Sequence, residues 1–366
     1  MANLSQKFQV ALYNLENLAG ILLHKIGSKF SYYFLKDYAL PPETVNIYPT
    51  FRCNLRCEMC FEKFAKVKEE LSLEDWIKVI KEIKRFYPRI HLSGGEPFIF
   101  KDILRIIEYI KNNNLYLHIT TNGTFLEEYA QEIIRFKVNR IDISIDGPEN
   151  IHDTIRGIKG TFNKILKGLD RLKILKKGGL PIIKINSIIN LKSPETMKEI
   201  IKIAQDFDVS MVQFIYPLYL EKDAIMRHKR FLKEFLGRDI NYWSQADNYK
   251  PEPKDFSNIQ SVLKNLLEKG MTIDAFPKFN AGQFEAYYRN PQMFNKVYTG
   301  KCRAMWNTLT ILPDGSIESC PDYVIGNIKT QKVLNAWNNP AMLKLRAIIK
   351  DKKFFPVCRA CCFFYQ

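Results

Sequence analysis

Between Thr44 and Tyr216 the chain alternates short runs of β-branched and aliphatic residues with longer stretches whose apolar side chains recur every three or four positions. The first pattern is that of buried strands, the second that of amphipathic helices. Strands are expected near Thr44–Tyr48, Arg89–Leu92, Leu115–Thr120, Arg140–Ile145, Pro181–Ile189 and Ser210–Tyr216. Helices are expected over Leu73–Phe86, Ile103–Asn112, Glu127–Phe136, Phe162–Lys176 and Pro194–Phe207. Six β-then-α units in succession imply a parallel sheet with right-handed crossovers, curled or closed into a barrel. The expected fold class is therefore α/β, a partial (β/α)6 TIM-like barrel whose functional loops lie at the C-terminal ends of the strands.

The flanks differ. From Leu4 through Phe8, Leu12, Leu15, Leu18, Leu22, Ile26 and Phe30 to Tyr33, one apolar stripe runs at helical spacing, with Lys7, Lys25 and Lys29 beside it. It fits a helix docked on a membrane surface or a partner, or a helix closing the bottom of the barrel. The second is preferred here, because such stripes usually face a core. Between 221 and 300 the alternation stops. Asn248–Phe256 reads as a linker or lid, and the aromatics Tyr242, Trp243, Tyr249, Phe276, Phe279, Phe284, Tyr287 and Tyr288 would line a pocket or pack on the barrel. Beyond Cys302, Thr308–Leu312 and Ser316–Cys320 flank Pro313-Asp314-Gly315, a hairpin signal. The division expected is an N-terminal amphipathic helical segment (1–42), a core barrel (43–220), a linker or lid (221–300) and a small hairpin-plus-helix domain (301–366).

Composition changes this picture in two ways. The 366 residues carry a net charge of +16, but the basic residues are spread over Lys-rich helix faces, so a nucleic-acid groove is not the expectation. The N-terminus lacks a secretion signal, and no apolar run approaches the roughly 20 residues that span a bilayer. The protein is expected in the cytoplasm, with attachment to a membrane periphery as the alternative use of the N-terminal stripe. In a reducing compartment, closely spaced cysteines among the eight present are read as metal ligands rather than disulfides.

Cys53, Cys57 and Cys60 lie within eight residues, directly after the first expected strand. Three thiolates on one loop can hold three irons of a four-iron cluster and leave the fourth open, whereas zinc normally takes a fourth local ligand. This Cys-x3-Cys-x2-Cys arrangement resembles the signature of radical S-adenosylmethionine (SAM) enzymes, with Met59 where the family often has an aromatic. The resemblance implies that Cys53, Cys57 and Cys60 hold a four-iron four-sulfur cluster whose open iron is chelated by SAM. Ser93-Gly94-Gly95-Glu96-Pro97 at the second strand end resembles the loop that receives the SAM amino group, with Glu96 as a nearby acceptor. Thr120-Thr121-Asn122-Gly123 and Ser144-Ile145-Asp146-Gly147 close the next two strands, and Arg156 follows. By the same resemblance Asn122, Ser144, Asp146, Arg156 and Asn186 join Gly94, Gly95, Glu96 and Pro97 as cofactor-binding residues, with Gln213 a weaker member. The resemblance covers roughly residues 43–217.

Cys302 and Cys320 bracket the hairpin, and Cys358 and Cys361 follow near the C-terminus. Four thiolates suffice for one closed iron-sulfur cluster or one structural zinc. The pattern resembles the C-terminal SPASM or shorter twitch extension of radical SAM enzymes. The cysteine count implies one auxiliary four-iron four-sulfur cluster, ligated by Cys302, Cys320, Cys358 and Cys361 or, at the last position, Cys362.

Together the resemblances imply reductive cleavage of SAM to a 5'-deoxyadenosyl radical, which abstracts a hydrogen atom from a peptide or sugar-like substrate. A closed auxiliary cluster favours net oxidation, either dehydrogenation or bond formation, with electrons from a donor such as flavodoxin or ferredoxin. Two alternatives stand beside this reading: a redox-neutral epimerase using Cys362 as hydrogen donor, and a zinc-stabilised nucleic-acid-binding protein, which would not explain the ordered βα units. His91, His118, His152 and His228 show no metal-ligand spacing.

Overall fold

The computed structural model describes residues 26–62, 69–176, 179–239, 242–247, 251, 256–267 and 272–365. Residues 26–34 are helical (α1). Seven parallel strands follow in spatial order: β1 (Thr44–Ile47), β2 (Arg89–Leu92), β3 (Leu117–Thr121), β4 (Arg140–Ser144), β5 (Ile182–Ile188), β6 (Met211–Ile215) and β7 (Thr272–Phe276). Their outer faces carry aliphatic side chains such as Ile90, Ile119, Ile141, Ile143 and Ile185, all sealed from solvent. The helices that cover them are α2 (Leu73–Ile83), α3 (Ile103–Asn112), α4 (Leu126–Arg135), α5 (Glu149–Arg156), α6 (Thr161–Lys176) and α7 (Thr196–Asp206). In α2, Ser72 and Asp75 form a capping box, and Trp76, Val79, Ile80 and Ile83 make the buried face.

The other face of the strands is polar. His91 bridges Asn46 Oδ1 (3.0 Å) and Thr120 Oγ1 (2.9 Å), and stacks on His118 with ring centroids 4.0 Å apart. Arg140 and Lys184 both reach Asp142, at 2.6 and 3.6 Å, and Lys184 donates to Gln213 Oε1 at 2.9 Å. Every charge of this layer has a partner, as burial demands. Burial holds the His91 imidazole down to about 4 and pushes His118 well below its usual value, which favours the neutral ring in both.

Two expectations are corrected, and the C-terminal hairpin and helices, present as expected, turn out to extend the main sheet. The segment 221–300 is not an irregular linker: it contains α8 (Lys222–Phe231), α9 (Phe256–Leu267), β7, α10 (Ala281–Arg289) and α11 (Pro291–Val297), so the βα alternation passes the sixth strand. Of the expected lid Asn248–Phe256, all but residues 251 and 256 lie outside the described residues, as does Tyr249. The C-terminal region also shares the barrel's sheet. Its strands β8 (Thr308–Ile311), β9 (Ser316–Cys320) and β10 (Tyr323–Asn327) extend one ten-stranded sheet in the order β10-β9-β8-β1, and β8 runs parallel to β1 with Thr44 opposite Thr308. Asn46 Nδ2 donates to Thr310 Oγ1 at 3.0 Å across that seam. Helices α12 (Val333–Trp337) and α13 (Pro340–Lys352) complete the region, and Trp306, Ile317 and Trp337 join the main core. Lastly, the described part of the N-terminal stripe does not face a core. Ser31 and Tyr32 provide the packed side of α1, while Ile26, Phe30 and Tyr33 point to solvent; the stripe before residue 26 lies outside the described residues.

Candidate functional site

The loop from β1 to α2 carries Cys53, Cys57 and Cys60 at the C-terminal end of the sheet, and three neighbouring strand ends hold it. The first contact is backbone on backbone. Gly95 N donates to Thr50 O and Glu96 N to Arg52 O, each at 2.9 Å. A Cβ on Gly94 would lie 2.6 Å from Thr50 O, and one on Gly95 2.6 Å from Phe51 O. Both glycines are therefore demanded by the close approach of two loops, and Gly94 also by its φ of +113°. The Glu96 carboxylate is wholly buried and its oxygens are engaged: Thr121 Oγ1 (2.8 Å) and Phe98 N (3.2 Å) donate to Oε1, and Asn122 N (2.7 Å) to Oε2. Burial raises its pKa to about 7. Glu96 thus locks the β2 loop to the end of β3, and Pro97 opens the short turn beside it.

The second contact is Asn122, whose Nδ2 donates to Asn54 Oδ1 at 2.8 Å and approaches Cys53 Sγ at 3.8 Å. The third comes from the end of β4. Asp146, sealed from solvent, pairs with Arg156 at 2.7 Å and accepts from Ile188 N at 2.9 Å. Arg156 Nη1 reaches Cys57 Sγ at 3.6 Å, while Arg56 N and Glu58 N donate to Arg156 O and Ile155 O. Burial works against the guanidinium charge, but Asp146 and the Cys57 sulfur outweigh it and hold Arg156 above its usual pKa. Gly157, at φ +74°, lets α5 end against the Arg56 carbonyl. Ser144 and Asn186 face each other in register on β4 and β5, and Asn186 Oδ1 is enclosed without a hydrogen-bond partner. Asn186 Nδ2 lies 3.5 Å from Asp142. Gln213, opposite Asn186, is instead occupied by Lys184.

The second cysteine group has a different setting. Cys302, Cys320, Cys358 and Cys361 line one small cavity walled by apolar residues including Trp243, Met305, Val357 and Phe364. Phe355 N donates to Cys358 Sγ at 3.1 Å, and Cys361 N to Cys358 O at 3.0 Å. Burial pushes all four thiols up, and the proximity of their sulfurs adds to it for Cys320, Cys358 and Cys361. Four thiolates in such a place need the positive charge of a bound metal centre. In kind and number the four donors suit a closed iron-sulfur cluster, and the three-cysteine loop suits one with an open position; among the described residues, no group of three such side chains is arranged to hold a metal ion.

A cavity of about 550 Å³ touches Cys320 and Cys361 of the second group, with the adjacent Cys362, and reaches residues that flank the first, though not Cys53, Cys57 or Cys60 themselves. Tyr48, Phe51, Phe61 and Glu62 border it from the first cysteine loop, Tyr242 and Trp243 from the 221–300 region, and Glu318, Cys320, Cys361 and Cys362 from the C-terminal region. Glu62 accepts from Tyr242 Oη at 3.2 Å, and its Oε2 has no partner. Burial raises Glu62 to about 7 and Glu318 to about 8. Among the described lining residues there is no Lys, Arg or His. Of the aromatics read from sequence, Tyr242 and Trp243 line this cavity, whereas Phe279, Phe284, Tyr287 and Tyr288 pack among themselves and on Tyr216 and Tyr219. Sequence reasoning missed Tyr48, Phe51, Glu62 and Glu318. The one available signal was the alternation in β9, which sets Ser316, Glu318 and Cys320 on one face.

The chain matches the family described as "Radical SAM superfamily" over residues 47–207 and the "Iron-sulfur cluster-binding domain" SPASM over 302–362. It is 35% identical over 124 residues to Fe-coproporphyrin III synthase of Methanosarcina barkeri, covering 33% of this chain and 31% of that protein. To the PqqA peptide cyclase of Granulibacter bethesdensis it is 26% identical over 203 residues, 53% of either chain. It thus spans about a third to a half of these two relatives. In fold it is similar to Streptococcus suis SuiB bound to its precursor peptide SuiA, with a TM-score of 0.63, 16% identity, and 95% of this chain and 80% of that one covered.

Proposed function

We infer that this chain, which belongs to the radical SAM superfamily and carries a C-terminal iron-sulfur domain of the SPASM type, oxidises a peptide substrate by hydrogen-atom abstraction. The chain binds SAM and two iron-sulfur clusters. When bound, these groups supply a 5'-deoxyadenosyl radical from reductively cleaved SAM and, at the second site, a one-electron acceptor. The observation that carries the proposal is the cavity that lies against Cys320, Cys361 and Cys362 and is bordered by Tyr48, Phe51, Phe61 and Glu62, which flank the first cysteine loop, so that a substrate held there lies between the two groups.

In this reading Cys53, Cys57 and Cys60 ligate the first cluster, and Cys302, Cys320, Cys358 and Cys361 the second. Ser144 and Asn186 contact SAM directly, supported by the unpartnered, enclosed Asn186 Oδ1. Gly94, Gly95, Glu96, Pro97, Asn122, Asp146 and Arg156 are positioning residues, since their contacts fix the cysteine loop and leave Glu96 no free oxygen. Tyr48, Phe51 and Tyr242 exclude water from the cavity, and Glu62 and Glu318 receive hydrogen-bond donors of the substrate. The similarity to a peptide cyclase supports a peptide over a sugar. The substrate loses one hydrogen atom to the deoxyadenosyl radical, then an electron and a proton, and leaves two hydrogens lighter.

A second reading is favoured by one observation: Cys362 is exposed and borders the same cavity, where its thiol could return a hydrogen atom in a redox-neutral epimerisation. Incubating the reconstituted enzyme with a library of peptides in D2O separates the two. A product two hydrogens lighter, formed equally by Cys362→Ala, is expected. A product of parent composition carrying one solvent deuterium, lost in Cys362→Ala, would replace oxidation by epimerisation.

A further inference from the structure

The described chain exposes thirteen large hydrophobic side chains, and six of them fall between residues 26 and 40: Ile26 (55%), Phe30 (46%), Tyr33 (62%), Phe34 (72%), Tyr38 (56%) and Leu40 (45%). Such a concentration on a water-soluble surface marks an interaction face. At 3.6 residues per turn, Ile26, Phe30, Tyr33 and Phe34 share an arc of about 100° on α1. The opposite side is already used. Tyr32 packs edge-on against Trp306 at 4.8 Å, with Lys350 5.2 Å from the Tyr32 ring. Just past the helix, Arg346 donates to Asp37 O, Asn338 accepts from Ala39 N, and Trp337 Nε1 donates to Leu40 O. The helix is therefore pinned with its apolar arc outward.

The chemistry around the arc points to what covers it. Lys29 and Lys36 are exposed on the same segment, and in sequence the stripe continues back to Leu4 with Lys7 and Lys25 beside it. Aromatic rings mixed with lysines on one helix face are the composition of an interfacial helix, rings at headgroup level and ammonium groups against lipid phosphates. A second copy of the chain would bring another +16 of charge to the contact, whereas an anionic bilayer attracts it. Among the described residues no helix is long and apolar enough to cross a membrane.

We propose that the outward face of α1 seats the protein on an anionic membrane surface. The segment ends just before β1 and lies against Trp306, just before β8, so it sits at the N-terminal ends of the strands, opposite the cysteine loop. Docking there leaves the cavity open to water, so attachment and turnover are separable, and the proposal does not depend on the function inferred above.

The test is co-sedimentation of the full chain with phosphatidylcholine–phosphatidylglycerol vesicles and with phosphatidylcholine alone. Binding to the anionic vesicles is expected. The triple variant Phe30→Ser, Tyr33→Ser, Phe34→Ser should weaken it about a hundredfold or more, from the apolar area withdrawn. Lys29→Gln should weaken it about fivefold. All four side chains are exposed, so the fold and 5'-deoxyadenosine formation should match the parent. No binding to the anionic vesicles, equal binding of parent and triple variant, or a concentration-dependent dimer abolished by the triple variant would each overturn the proposal.

Discussion

The two cysteine groups are built from opposite materials. The first lies on a half-open loop that owes its shape to polar contacts from three strand ends: the Gly94–Gly95 backbone, Asn122 and Arg156. The second is enclosed by Trp243, Met305, Val357 and Phe364, and all four of its thiols are raised by burial. An open iron must admit and release a ligand, so its loop needs water-tolerant, directional restraints. A closed cluster, as proposed for the second group, needs only to stay assembled, and apolar packing with few directional bonds, among them Phe355 N to Cys358 Sγ, suits that. The 550 Å³ cavity lies against the second group and is bordered by residues that flank the first loop.

The contrast breaks most completely at Gly95. A methyl group there meets backbone oxygens of the cysteine loop rather than a side chain that could swing aside. Gly95→Ala should cost about 4 kcal/mol or more in urea unfolding and remove iron from the first site while sparing the second. Next comes Arg156→Gln, which strands the sealed Asp146 carboxylate without its cation. A loss of about 3 kcal/mol is expected, with weaker SAM binding measured by equilibrium dialysis. An unchanged SAM affinity would show that the guanidinium does not set the loop.

Acid should also distinguish the sites. His152 is sealed beside Asp146 and accepts from Asp146 N at 3.2 Å; burial lowers its pKa to about 4 from an ordinary 6.5. The unfolded chain therefore binds a proton at higher pH than the folded one, and stability falls as pH drops from about 6.5 toward about 4. Between pH 7 and pH 5 the loss from this one group is roughly 2 kcal/mol. Unfolding followed in urea at both pH values, with His152→Asn supplying a non-titrating acceptor, should show the difference shrink in the variant.

The fold was legible wherever hydrophobic period and burial agree. The strand at Arg89–Leu92 and the helix at Ile103–Asn112 stand where their patterns put them. β7 escaped because Thr272–Phe276 is partly exposed throughout and offers no alternation. The pairing of β8 with β1 joins residues some 260 positions apart, and nothing local encodes it. The described end of the N-terminal stripe, residues 26–34, was legible as a helix but not in its direction, since periodicity finds a face without saying what covers it. In the site the cysteines and glycines stood out by spacing. The reason for the glycines, a loop pressed on a loop, is three-dimensional. Glu62 and Glu318 lie on separate segments whose meeting at one cavity no local pattern announces.

The most direct test of two independent sites is iron content and 5'-deoxyadenosine formation, measured together after anaerobic reconstitution and reduction with SAM, in the parent, Cys57→Ala and Cys320→Ala. About eight irons per chain are expected in the parent and about four in either variant, with deoxyadenosine formed by the parent and Cys320→Ala but not by Cys57→Ala. Deoxyadenosine from Cys57→Ala, or an iron count unchanged in Cys320→Ala, would contradict the two-site assignment.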